Sequence, residues 1–93
     1  MDQEKCDAIE RFLSDSFVGA KIQQADVYGD RGFKIFDEAD ICILKVGREF
    51  IGDNSKESIC KLLQEWQVIA YLKENQSFGV LVTQKGPTRY DLK

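Results

Sequence analysis

The sequence predicts a single α+β domain over residues 1–93: an antiparallel sheet, made of a meander plus a C-terminal hairpin, with an N-terminal helix and a central helical segment packed on one face. Three observations lead there. Apolar residues recur at intervals of three and four in two segments, one at the start and one in the middle of the chain. The stretches between and after them are short β-rich runs separated by turn residues. The 93 residues contain no linker, low-complexity stretch or internal repeat that would divide them.

The first helix is written in Cys6, Ile9, Leu13 and Phe17, with Phe12 beside them. Asp2, Glu4, Asp7 and Glu10 crowd its front half, where the helix dipole favours anions. Gly19 follows as the left-handed residue that ends it. From residue 22 the pattern is that of strands. Residues 22–28 lead into the turn Gly29, Asp30, Arg31, Gly32, and residues 33–37 leave it with Phe33 and Ile35 on one face and Lys34 and Phe36 on the other. Glu38, Ala39 and Asp40 turn the chain again, and residues 41–46 return as the most apolar strand, which makes two consecutive hairpins. Gly47 and Gly52 bracket Arg48, Glu49, Phe50 and Ile51, a segment that reads as a bulged continuation of the third strand or a short fourth one.

Asn54 can cap the second helical segment, with Glu57 completing a capping box. Ile59, Leu62, Leu63, Trp66, Ile69 and Ala70 trace one stripe, while Val68, Tyr71 and Leu72 lie on the other side. Residues 66–74 therefore fit a helix buried on both sides, a second helix after a kink near Trp66, or a strand. With no glycine or proline between Ser55 and Phe78, a straight or bent helix to about Glu74 is favoured. Residues 78–83, the turn Gln84, Lys85, Gly86, Pro87, and residues 88–92 close the chain as a hairpin.

Composition excludes more chemistry than it suggests. Hydrophobic residues make up 43% and charged residues 31%, a globular balance. The longest apolar run is five residues, far short of the roughly 20 a membrane span needs, and the start does not read as a secretory signal. There is no histidine, so the commonest general base and metal ligand are missing, and the serines and threonines have no such partner. Cys6, Cys42 and Cys60 are odd in number and widely spaced, which reads as small buried hydrophobes in a reducing cytoplasm rather than a disulfide or zinc framework. Gly47 and Gly52 have the spacing of a phosphate loop, but Asp53 stands where its lysine belongs. Asp37, Glu38 and Asp40 cluster at a turn that Asp26 and Asp30 could approach; a hard cation would suit them, although turn carboxylates commonly bond their own backbone. Trp66 continues the helical stripe and reads as core.

Charge is uneven along the chain. Residues 1–54 carry seven basic and twelve acidic residues, residues 55–93 six and four. A helical region followed by a hairpin is similar in order to the end of a winged-helix nucleic-acid-binding domain, whose wing would here bring Lys85, Arg89 and Lys93 to phosphates. The segment from Trp66 to Asn75 is mostly apolar and lacks the arginines and asparagines that read base edges, apart from Asn75 at its very end, and the acidic first half opposes DNA, so nucleic acid is the alternative. The leading expectation is a small cytoplasmic, non-catalytic interaction or ligand-binding module, without cofactor, metal or membrane association. Its open sheet edges invite a homodimer, and its further partner would be a protein or small molecule.

Overall fold

The computed structural model describes residues 3–38, 40–76 and 78–91. Helix α1 (Gln3–Ser16) precedes strands β1 (Lys21–Val27), β2 (Asp30–Asp37) and β3 (Asp40–Val46). Helices α2 (Arg48–Asp53), α3 (Lys56–Glu65) and α4 (Val68–Glu74) follow, and β4 (Gly79–Thr83) and β5 (Gly86–Tyr90) end the described chain. The five strands form one sheet in the order β1-β2-β3-β4-β5. The expected meander and hairpin are both present, and the class is α+β. One ladder differs from the all-antiparallel expectation: β3 and β4 pair in parallel, Ile43 with Gly79 through Val46 with Val82. The physical reason is the three-helix crossover between them, which carries the chain back to the end where β3 began, a connection parallel strands require.

All the helices lie on one face. α1 packs on β1 and α3, α4 on β3 and β4, and α2 on β4. The core between them is apolar among the described residues: Cys6, Ile9 and Leu13 from α1, Phe33, Ile35, Cys42, Leu44, Val46, Val80 and Val82 from the sheet, and Phe50, Ile51, Ile59, Leu63, Val68 and Leu72 from the crossover. Alternation along β2 and β3 supplies the sheet's share, because period two sends every second side chain inward. Gln24 of β1 also points to this side, where its Nε2 donates to Asp7 and Glu10 of α1 at 3.1 and 2.8 Å. Gly19 ends α1 at a φ of +84°, as its position predicts.

The crossover departs from the sequence reading at two points and resolves it at a third. Arg48, Glu49, Phe50 and Ile51 belong to a helix rather than a strand, and adjacent Phe50 and Ile51 are both buried, which strand alternation would forbid. The Arg48 N–H at its start donates to Asp30 Oδ1 at 3.0 Å, a cap supplied from another element. The next helix is capped by Ser55, not Asn54: the Ser58 N–H donates to Ser55 Oγ, whereas Asn54 Nδ2 turns back to the Phe50 carbonyl. The helix breaks after Glu65, so of the three arrangements open for residues 66–74 the kink near Trp66 is the one adopted, the helix ends at Glu74 as expected, and the strand is excluded.

The break runs through Gln67, which is left-handed at φ 53° and ψ 44°. Trp66 and Gln67 separate the two helices, and the left-handed turn at Gln67 shifts the phase of α4 against that of α3, so Val68 and Leu72 turn inward while Ala70, on the earlier stripe, is exposed. A left-handed residue other than glycine costs about 1–2 kcal/mol. Glycine would remove that cost and lose roughly 0.5–1 kcal/mol through the freedom of the unfolded chain. Gln67 is exposed and its side chain makes no cap hydrogen bond. Gln67→Gly is therefore expected to raise stability by about 0.5–1 kcal/mol in urea melts; a lower midpoint would contradict this account of the break.

Candidate interaction surface

The sheet's second face carries no helix among the described residues, and the strand register fixes what it presents. Side chains that alternate away from the core align in rows across the strands. One row is Lys21, Phe36 and Ile41; the next is Gln23, Lys34, Ile43, Gly79 and Tyr90; a third is Ala25, Gly32, Lys45, Leu81 and Thr88. Each row is offset from the last, so like residues fall on diagonals. Lys21, Lys34 and Lys45 form one line, and Phe36, Ile43 and Leu81 form a second beside it. Ile41 and Tyr90 extend the apolar region on its far side.

These apolar side chains are only half covered, and Ile41 is 44% exposed. The lysines shield part of the surface themselves. Lys34 Nζ lies 5.5 Å from the centre of the Phe36 ring and Lys45 Nζ 5.4 Å from that of Tyr90, the attraction of a cation for a ring face. The Tyr90 ring lies across Gly79, where a Cβ would collide with it; glycine here is the space into which an aromatic residue settles on the sheet. Burial pushes the Tyr90 hydroxyl above its ordinary pKa, so the ring stays neutral.

Electrostatically this face differs from the rest of the molecule. Among the described strand residues, Asp30 is the one carboxylate that alternates onto it, and its Oδ1 already accepts the Arg48 N–H. Asp26, Asp37 and Asp40 alternate to the other side. The helices hold the larger share of acid, including Glu4, Asp7, Glu10 and Asp15 on α1. A chain with net charge −3 thus turns a basic and apolar surface outward on the side that no helix covers among the described residues. At the β4–β5 end the surface runs into a groove of about 620 Å³ of mixed charge, lined by Tyr28, Asp30, Arg48, Glu49, Leu81 and Lys85.

The residues singled out from sequence fall in different places. Lys85 borders that groove. Arg89 alternates to the helix side of β5, its guanidinium 4.8 Å from the centre of the Phe78 ring and its Nη1 donating to Asn75 Oδ1 at 3.4 Å. Lys93 lies outside the described residues, as do Asp2, Ala39 and Leu92. The hairpin therefore does not gather Lys85 and Arg89 onto one surface.

The acidic cluster is divided as well. β2 separates Asp30 from Asp37 by its full length, so Asp26 and Asp30 do not approach Asp37 and Glu38. Asp26 Oδ1 instead accepts the Gly29 N–H at 2.9 Å, a turn role. Among the described residues no three metal-ligating side chains converge. Cys6 and Cys42 are buried and Cys60 half-buried. Burial, helped by Asp40 and Asp37, holds the Cys42 thiol above its usual pKa, and burial with Glu57 does so for Cys60. Neither is a thiolate at neutral pH, which withholds the nucleophilic form. Trp66 is half-buried, its ring 5.7 Å from that of Phe50 and packed against the core.

Alternation in residues 33–37 puts Lys34 and Phe36 on one face in the sequence itself. The diagonal lines depend on how the strands are set against one another, which the sequence does not state. Comparison with known proteins finds no protein family that matches this chain, and no characterised protein or solved structure that matches it significantly.

Proposed function

We propose that the chain is a non-catalytic interaction module that works as a homodimer in a reducing, cytosolic setting. The observation that supports this is a sheet finished on one side only: helices pack on one face, while among the described residues no helix packs across the other face and no strand pairs with the outer side of β1. The edge at β1 is suited to pairing. It has seven residues with neither glycine nor proline, whereas the opposite edge, β5, is shorter and includes Pro87, the usual protection of an edge. Two copies joined antiparallel along β1 about Gln24 would form a continuous sheet and pair the backbone groups each edge leaves open. The three unpaired thiols fit a reducing compartment.

Sedimentation at micromolar protein tests this. In that register Gln23 of one copy stands opposite Ala25 of the other, and both side chains are exposed. Gln23→Lys combined with Ala25→Lys places like charges opposite one another across the junction without touching the core. The dimer dissociation constant is expected to rise about tenfold or more, with the fold unchanged by circular dichroism. A wild-type chain that stays monomeric at roughly 100 µM, or a dimer indifferent to the double variant, would refute the proposal.

A further inference from the structure

We infer that the uncovered sheet face is a docking site for an amphipathic helix of another protein, one that carries acidic residues along one flank of its apolar stripe. The inference rests on the interaction-module reading but not on the dimer. It is carried by two parallel lines on the face: Lys21, Lys34, Lys45, and beside them Phe36, Ile43, Leu81.

Geometry gives the occupant's size. Neighbours in each line are one strand and two residues apart, or about 8 Å from the spacings of a sheet. Three positions then span about 16 Å, which a helix covers in roughly 11 residues. A helical apolar stripe fits the line of Phe36, Ile43 and Leu81, with Ile41 and Tyr90 as its far wall. Carboxylates along one flank would meet the lysines at their strand positions, drawing the Lys34 and Lys45 ammonium groups off the Phe36 and Tyr90 rings on which they rest, while Asp30, the single carboxylate of that face among the described strand residues, is already engaged.

The same features discriminate between classes of occupant. The inner strands have their peptide groups committed to ladders on both sides, so an extended segment laid flat on the face would leave its own N–H and C=O groups unpaired over Ile43 and Leu81. A helix satisfies its own backbone. A second copy set face to face would add its own lysines and, among the described strand residues, no free carboxylate to meet them. Single-stranded nucleic acid needs open aromatic faces to stack on, whereas here the centre is aliphatic and both rings already hold a lysine ammonium.

The experiment uses the full chain and a fluorescein-labelled, stapled helix of about 14 residues with a leucine stripe. One version carries glutamates along a flank, and its counterpart carries lysines there. Anisotropy at low salt is expected to show the glutamate peptide binding about tenfold tighter or better, the advantage shrinking as salt rises. Lys34→Glu with Lys45→Glu is expected to reverse the preference, and Ile43→Asp to weaken both peptides; circular dichroism checks that each variant is folded. Equal affinity for the two peptides, no binding of the glutamate peptide at about 1 mM, or its displacement by an oligouridylate at lower concentration would overturn the inference. Sedimentation separates it from the dimer proposal. The lysine reversals leave a dimer joined along β1 intact, whereas a dimer lost in Ile43→Asp but kept in the Gln23→Lys, Ala25→Lys variant would put a second copy on this face and refute the helix.

Discussion

Phe33→Ala should cost about 3–5 kcal/mol, while Phe36→Ala, on the same strand, should cost about 1 kcal/mol or less. The two residues differ in the face they occupy. Phe33 is fully buried among the helices, and truncating it forfeits the transfer energy of the ring and leaves a hole that packed neighbours cannot close. Phe36 is half-buried on the bare face, beside Lys21 and Ile41 and under the Lys34 ammonium, so water fills the space it vacates. A small domain has a total stability of roughly 5–15 kcal/mol. The first variant is therefore expected to be largely unfolded or close to its midpoint in mild urea, and the second to melt near the wild type. Similar losses at both positions would mean that the outer face is covered in the isolated chain, contrary to the architecture described.

The second large effect lies in the crossover. Leu72→Ala is expected to cost about 2–5 kcal/mol, and Ile69→Ala, closer to the stripe begun by Ile59 and Leu63, clearly less. An uninterrupted helix would favour Ile69, which continues that stripe. The left-handed residue at Gln67 changes the phase, and Leu72 becomes 1% exposed while Ile69 is half-buried at the rim of a groove beside Phe12 and Leu63. Leu72 also abuts β3, its carbonyl 4.0 Å from Cys42 Sγ. Equilibrium urea unfolding of the two variants measures the difference. The reverse ranking would restore the continuous helix.

Most of the elements were legible because local patterns dictate them. α1 follows from the spacing of Cys6, Ile9 and Leu13, and β2 and β3 from alternation between glycine-bearing or acidic turns. The errors share one origin: at each point a distant or unusual partner settles a local ambiguity. Arg48 to Ile51 is too short for a helical period, and the residue that caps it, Asp30, belongs to a strand many residues earlier. The break at Gln67 lacks the glycine that normally announces a left-handed residue, so the sequence left the kink near Trp66 as one of three arrangements for the apolar residues that follow. The interaction surface was half legible. Lys34 and Phe36 could be assigned to a common face, but the alignment of Lys45 with Lys34 required the β2–β3 register, and that of Leu81 with Ile43 the parallel placement of β4 against β3.

That parallel ladder also governs the order in which the molecule can assemble. β3, bearing Ile41, Cys42, Ile43 and Leu44, can zip onto β2 at once through a short hairpin, yet its other side waits for residues 79–83. On a ribosome, the sticky flank of β3 is thus left without its native neighbour while the whole crossover is synthesised. Closing that distant contact is the slow kind of event in folding. The interval is when nascent chains are most prone to adhere to one another, and it ends when β4 slots in beside β3.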